Sequence, residues 1–149
     1  MNTTEESSLG RNKNTFTKNR GVILSTLWVF VTLNYLYCDV LTLFDPVMLK
    51  QTIIGTTPGG LQITPGFLLA ASILMEIPIM MVLLSRILKY RANRWANIIA
   101  GTIMSLVQIL TVFSGAPTIY YLFFSAIEVP CTLFIVWYAW WWRNPEDQP

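Results

Sequence analysis

Four stretches of the chain are almost wholly apolar and are separated by shorter polar connections. They cover about 21–44, 65–88, 94–113 and 117–142. Each reaches the roughly 20 residues that an α-helix needs to cross about 30 Å of hydrocarbon. The pattern therefore predicts an all-α, polytopic membrane protein that folds as a four-helix transmembrane bundle.

The composition supports a membrane protein. Apolar residues make up 54% of the 149-residue chain and charged residues 12%, and the mean hydropathy is positive. A soluble chain of this length could not cover so much apolar surface. We predict one transmembrane domain at 21–143, a retained polar tail at 1–20 and a second short tail at 144–149. The apolar segment after residue 20 is too long for a signal-peptide core.

Basic residues predict the orientation in the membrane. They cluster in the N-terminal tail, in the connection between the second and third segments, and at Arg143, whereas the first and third connections contain Lys50 alone. By the positive-inside rule, both termini lie in the cytoplasm, and we expect a bacterial cytoplasmic membrane. Basic flanks that anchor helix ends also explain the net charge of +2, so no nucleic-acid partner is expected.

A short motif recurs in the second and fourth segments. Glu76-Ile77-Pro78 returns as Glu128-Val129-Pro130, and a proline, Pro65 or Pro117, stands eleven residues before each acid. This spacing predicts two duplicated helical hairpins, arranged as parallel repeats about an axis along the membrane normal. The alternative is chance, because prolines often begin helices and apolar runs align easily.

Buried acids are the candidate functional groups. A carboxylate inside a membrane helix is expensive and usually functional. At a rise of about 1.5 Å per residue, Glu76 and Glu128 should lie near the midplane and face each other, with Asp39 nearer the outer edge. Polar or aromatic residues at helical spacing complete the predicted chamber. The predicted ligand-binding residues are Asp39, Glu76, Glu128, Gln108, Tyr35, Ser72 and Ser125.

Whether these acids are ionised distinguishes the possible roles of the predicted chamber. No Lys or Arg lies in the middle of the four segments, and three unpaired carboxyl groups cannot all be ionised in a dry interior. Either some are protonated, or a cation joins them. A purely structural alternative is that neutral carboxyl groups hydrogen-bond neighbouring helices.

Several chemistries are absent from the sequence. The chain has no histidine, and Cys38 and Cys131 are isolated from each other within separate segments. Histidine-ligated haem and the usual zinc sites are therefore excluded, and we expect no metal and no cofactor. Both cysteines are best interpreted as small buried apolar residues.

The residues also resemble known families. The stretch from Leu33-Asn34-Tyr35-Leu36-Tyr37-Cys38-Asp39 through Arg91-Ala92-Asn93-Arg94-Trp95 resembles an uncharacterised family of small bacterial four-helix membrane proteins. More remotely, the plan of four helices with a basic inner connection is similar to DoxX-like proteins. A weaker similarity to the emopamil-binding (EXPERA) superfamily matches Asp39 and the Glu76-Ile77-Pro78 segment. That similarity implies intramembrane acids that hold amine-bearing ligands or protonate sterols.

Three functions follow as hypotheses. The first is a non-enzymatic bundle whose acidic chamber binds or transports a small cationic or amphipathic ligand. The second is a membrane-embedded enzyme in which Glu76 or Glu128 donates a proton to a lipid-soluble substrate. The third is a structural subunit of a membrane complex. The expected partners are the lipid bilayer and such a ligand, and the sequence leaves self-association open.

Overall fold

Five helices form the part of the chain that this computed structural model describes. Secondary structure is described for residues 3–57, 59–114 and 117–142, and side chains from residue 19 onward. The helices are α1 (Thr3–Phe44), α2 (Pro46–Ile54), α3 (Pro65–Ile87), α4 (Tyr90–Ser114) and α5 (Ile119–Trp140). Asn19–Phe44 of α1 and the whole of α3, α4 and α5 are long and apolar enough to cross a membrane. The expected all-α class with four membrane-spanning segments is confirmed.

The polar N-terminal segment continues α1. The polar tail predicted at 1–20 is helical from Thr3 onward. No proline interrupts this segment, so its backbone hydrogen bonds can continue without a break into the apolar part of α1. Arg143 and the predicted tail at 144–149 lie outside the described residues.

The four long helices form two hairpins. The most extensive contacts join α1 to α3 and α4 to α5, and contacts of α1 with α5 and of α3 with α4 close the ring. This neighbour order is the one expected for two hairpins, but it does not test whether they are repeats about a common axis. The duplication itself stays a prediction.

Residues that correspond in the two predicted repeats differ in burial between α3 and α5. The motif relates each position of α3 to the one 52 residues later in α5. The buried residues of α3 are Pro78, Met81 and Ser85, and their counterparts in α5 are all exposed: Pro130, Leu133 and Trp137. Conversely, Glu128 is buried whereas its counterpart Glu76 is exposed. The two helices therefore turn opposite faces of the repeat toward the bundle.

Two glycines lie where neighbouring helices approach each other closely. A Cβ atom on Gly21 of α1 would lie 2.5 Å from the backbone oxygen of Ser85 in α3. A Cβ atom on Gly101 of α4 would lie 2.7 Å from Cγ2 of Val136 in α5. Small residues at such positions let two helix backbones pack tightly in a membrane protein. Each hairpin thus has one glycine at a close contact between its two helices.

The connection between α1 and α3 is also ordered. Asp45 caps α2, because its Oδ1 accepts hydrogen bonds from the backbone N–H groups of Val47 (2.9 Å) and Met48 (3.3 Å). Gly55 ends α2 with φ at 87°, a conformation that glycine adopts without strain. An antiparallel bridge then pairs Thr56 with Gln62. The connection therefore folds as a short helix and a closed turn at the α2 end of the bundle; Pro58 lies outside the described residues.

Candidate intramembrane binding site

Glu128 is the buried acid of the bundle. Its side chain is 1% exposed, and it shares the buried face of α5 with Ser125 and Thr132. Residues three and four apart lie on one face of a helix, so the three side chains form a polar stripe. Among the described residues, neither carboxyl oxygen of Glu128 has a hydrogen-bond partner. A buried carboxyl group with both oxygens unused is unusual, because such groups are normally hydrogen-bonded.

Tyr35 of α1 has the same property. Its side chain is 5% exposed, and its buried hydroxyl group has no hydrogen-bond partner in the described part of the chain. Tyr35 lies within electrostatic range of Glu128 and of Cys131. Cys38, one turn further along α1, also lies near Glu128, and both cysteines are free thiols. The contact between α1 and α5 therefore holds two polar groups with unused hydrogen-bonding capacity.

The polar groups next to Glu128 are occupied with one another. On one side, Nε2 of Gln108 donates a 2.8 Å hydrogen bond to Oγ of Ser125. On the other side, Oγ of Ser105 donates a 2.8 Å hydrogen bond to Oγ1 of Thr132. Each of these pairs links α4 to α5. The carboxyl group of Glu128 thus lies between two hydrogen-bonded pairs, but it has no hydrogen-bond partner of its own among the described residues.

Asp39 borders this site. It follows Tyr35 by one helical turn, its side chain is exposed at the bundle surface, and it lies within electrostatic range of Glu128. Two neighbouring carboxyl groups repel each other when both are ionised, and the repulsion is strong where little water screens it. A cation placed near both groups would remove that repulsion.

Glu76 and Ser72 do not join the site, in contrast to the sequence-based prediction. Both side chains are exposed on α3, and Oγ of Ser72 donates to the backbone oxygen of Leu68 in its own helix (2.8 Å). The reason is packing, because Met81 and Ser85 turn toward the bundle interior and thereby place Glu76 on the opposite face of α3. Glu76 and Glu128 therefore do not face each other in one chamber. Of the predicted residues, Tyr35, Gln108, Ser125 and Glu128 converge and Asp39 lies at their edge.

A second polar cluster joins α1, α3 and α4 near the connection between α3 and α4. Oδ1 of Asn97 accepts hydrogen bonds from Nε1 of Trp28 (2.7 Å) and Oγ of Ser85 (3.3 Å). Nδ2 of Asn97 donates to Oδ1 of Asn93 (2.7 Å), and Nδ2 of Asn93 donates to the backbone oxygen of Ser85 (2.6 Å). The amide groups are thus engaged within the protein, which indicates a structural role.

Sequence reasoning missed Asn93 because it stands among basic residues and was assigned to the connection before α4. The helix begins earlier, at Tyr90. A usable signal was present in the spacing, because α4 carries small or polar residues at intervals of three or four. These residues are Asn93, Asn97, Gly101, Ser105 and Gln108. The stripe is the face of α4 that packs into the bundle.

Comparison with known proteins places the chain in a family. A family of unknown function, DUF6326, matches residues 13–148, which is nearly the whole chain. The chain belongs to DUF6326. No curated protein and no solved structure matches the chain. Membership of an uncharacterised family is confirmed, whereas the remoter resemblances to DoxX-like and EXPERA proteins stay predictions.

Proposed function

We propose that Glu128 and Tyr35 bind a small cationic or amphipathic molecule within the membrane, for transport or for an accessory or receptor function. The observation that carries this proposal is the carboxyl group of Glu128, which is buried and unpaired among the described residues. Intramembrane acids that face the interior of a bundle commonly mark substrate or ion pathways.

The hydrogen-bonding capacity favours a ligand over a structural role. Leaving a buried polar group unsatisfied costs about 1–3 kcal/mol, and more for a charged group. A structural carboxyl group would be expected to bond a neighbouring helix, as Gln108 does with Ser125. Instead, three buried oxygen atoms have no hydrogen-bond partner in the described part of the chain, two on Glu128 and one on Tyr35. A primary ammonium group offers three N–H donors and would match three acceptors.

The surroundings favour an amphipathic cation. Asp39 is exposed and lies within electrostatic range of Glu128. Its negative charge would therefore attract a cation toward the contact between α1 and α5. Cys38, Cys131 and Tyr121 lie close to Tyr35 or Glu128. These weakly polar groups suit the apolar part of such a ligand better than a fully hydrated ion.

The same carboxyl group also supports a second candidate, an enzyme in which Glu128 donates a proton to a lipid-soluble substrate. The two candidates respond oppositely to pH. A cation competes with the proton and binds better as pH rises, whereas a proton donor loses activity over that range. A structural subunit, the third hypothesis, would co-purify with other protein chains.

Binding of two matched probes tests the leading proposal. We suggest 2-phenylethylammonium and the uncharged 2-phenylethanol, titrated against protein in lipid nanodiscs. The cation should bind the native chain, and Glu128→Gln should weaken that binding by at least about tenfold, since hydrogen bonds to charged groups exceed neutral ones. Glu76→Gln is the matched control, because Glu76 is exposed on the far side of α3. Equal affinity of both variants, or equal binding of the two probes, would contradict the proposal.

A further inference from the structure

Most side chains of α3 are exposed, and those that face away from the bundle include a continuous line of residues along the helix. The spacing within this line alternates between four and three residues, as in the seam of a left-handed pair of helices. The residues of this seam are Leu69, Ile73, Glu76, Met80, Leu83 and Ile87. The seam lies opposite the buried residues Pro78, Met81 and Ser85. It therefore points directly away from the bundle.

Glu76 stands at the centre of this seam. It is the middle residue of the 23-residue helix α3, and its side chain is exposed. Apolar seam residues need no protein partner in a bilayer, because lipid tails are as apolar as they are. A carboxyl group in the middle of the hydrocarbon does need one, since lipid offers no hydrogen bonds. The seam thus combines helix-pairing periodicity with a polar group that lipid cannot satisfy.

We propose that the α3 seam is the interface with a second copy of this chain, in which the two Glu76 side chains bond each other. Copies inserted in the same orientation place their α3 helices parallel, so a twofold axis along the membrane normal brings Glu76 to its equivalent at equal depth. A protonated carboxyl group both donates and accepts a hydrogen bond. The pair would therefore satisfy itself without any other residue.

A second copy fits the seam better than an unrelated helix. A single polar residue in an apolar seam fixes the register of a helix pair, and the second copy supplies the matching group at the required depth without further assumption. The spacing of three and four residues also suits the crossing angle of about 20° that is common between membrane helices. This interface is on the opposite side of α3 from the bundle interior, so it does not depend on the ligand proposed for Glu128.

Cysteine cross-linking in native membranes tests the interface. Both native cysteines are first replaced, as Cys38→Ala and Cys131→Ala. Leu69→Cys then places a thiol on the seam, and Leu68→Cys places one on the adjacent position, about 100° around the helix. The two leucines are similarly exposed, at 63% and 55%, so they form a matched pair. Copper–phenanthroline oxidation should link two copies through Leu69→Cys and leave Leu68→Cys largely monomeric.

Glu76→Leu in the Leu69→Cys background tests the role of the carboxyl group. This exposed position tolerates an apolar side chain in lipid, so the variant should fold, which its thermal stability checks. Loss of the interhelical hydrogen bond should lower the association constant by roughly five- to tenfold, measured as cross-linked product at decreasing protein-to-lipid ratio. Equal linking through both cysteines, unchanged linking in Glu76→Leu, or a product that contains a different chain would each overturn the proposal.

Discussion

Tyr35 of α1 and Glu128 of α5 lie within electrostatic range of each other in the bundle interior, and neither side-chain polar group has a hydrogen-bond partner among the described residues. The neighbouring pairs Gln108–Ser125 and Ser105–Thr132 are bonded. Of the five buried side-chain atoms without a partner in the described chain, three belong to Tyr35 and Glu128, and the other two, Oε1 of Gln51 and Nε of Arg94, lie in α2 and near the start of α4. Three unpaired atoms in the bundle interior lower its stability, as is typical of a functional site, where stability is given up for binding.

The unpaired Tyr35 hydroxyl predicts an unusual stability change. Tyr35→Phe removes a buried group that has no partner in the described chain, so it should raise the free energy of unfolding of the ligand-free protein by about 1 kcal/mol. Tyr90→Phe is the control, because the Tyr90 hydroxyl donates to the backbone oxygen of Trp142 and its loss should destabilise. Thermal unfolding in detergent measures both. A loss of stability in Tyr35→Phe would indicate that Tyr35 already has a partner in the protein.

Asn97 should be essential for the stability of the bundle. Asn97→Ala removes the acceptor for Nε1 of Trp28 and leaves that buried donor unpaired, which should cost about 1–3 kcal/mol. Asn34→Ala is a fair comparison, since the side-chain amide of Asn34 donates to the backbone oxygen of Phe30 in its own helix and its loss should change stability much less. Denaturation of both variants in mixed micelles decides the point. Equal effects would refute a structural role for the Asn97 cluster.

Close helix packing predicts that two glycines do not tolerate a methyl group. Gly21→Ala and Gly101→Ala would force the added carbon within 2.5 Å and 2.7 Å of atoms in the facing helix, which should cost about 1–3 kcal/mol. Gly66→Ala meets its nearest atom, Oγ1 of Thr64, at 3.8 Å and should be neutral or slightly stabilising. Unfolding temperatures of the three variants give the ranking. A stable Gly21→Ala protein would mean that α1 and α3 pack less closely than described.

The distribution of basic residues predicts that both termini are cytoplasmic. An alkaline-phosphatase fusion in the connection at Gly59 should be active, whereas a fusion after Trp142 should be inactive, because that enzyme folds only outside the cytoplasm. A fluorescent-protein fusion at the same two positions provides the reciprocal control. The reverse pattern of activities would place the α2 end of the bundle in the cytoplasm.

The membrane spans were predictable because the length of an apolar run depends only on local sequence. The expected segment at 65–88 is α3 at Pro65–Ile87, and the segment at 94–113 lies within α4 at Tyr90–Ser114. Helix α2 was overlooked, although Asp45-Pro46 is a recognisable start and Gly55 a recognisable end for a helix. These capping signals did not lead to a prediction of α2, because the short connection that contains the helix has no apolar periodicity.

The direction in which α3 faces could not be predicted. In a soluble protein the apolar face of a helix points inward, but in a membrane the lipid-facing side is equally apolar, so hydropathy does not separate the two. Glu76 was therefore assigned to the interior by analogy with Glu128. In the structure, Met81 and Ser85 pack toward the bundle interior, so Glu76 faces outward. The i, i+3 and i+4 spacing succeeded for α5, where Ser125, Glu128 and Thr132 are all buried.

The pH dependence of 2-phenylethylammonium binding is the most direct test of the Glu128 site. Over roughly pH 5–8 an alkylammonium like that of lysine stays protonated, so any pH response of its binding belongs to the protein. In lipid nanodiscs, the native chain and Glu76→Gln should bind the probe more tightly as pH rises and the Glu128 carboxyl group ionises. Glu128→Gln should bind weakly at every pH. If Glu128→Gln retains both the affinity and the pH response of the native chain, Glu128 is not the binding group and the proposed function is wrong.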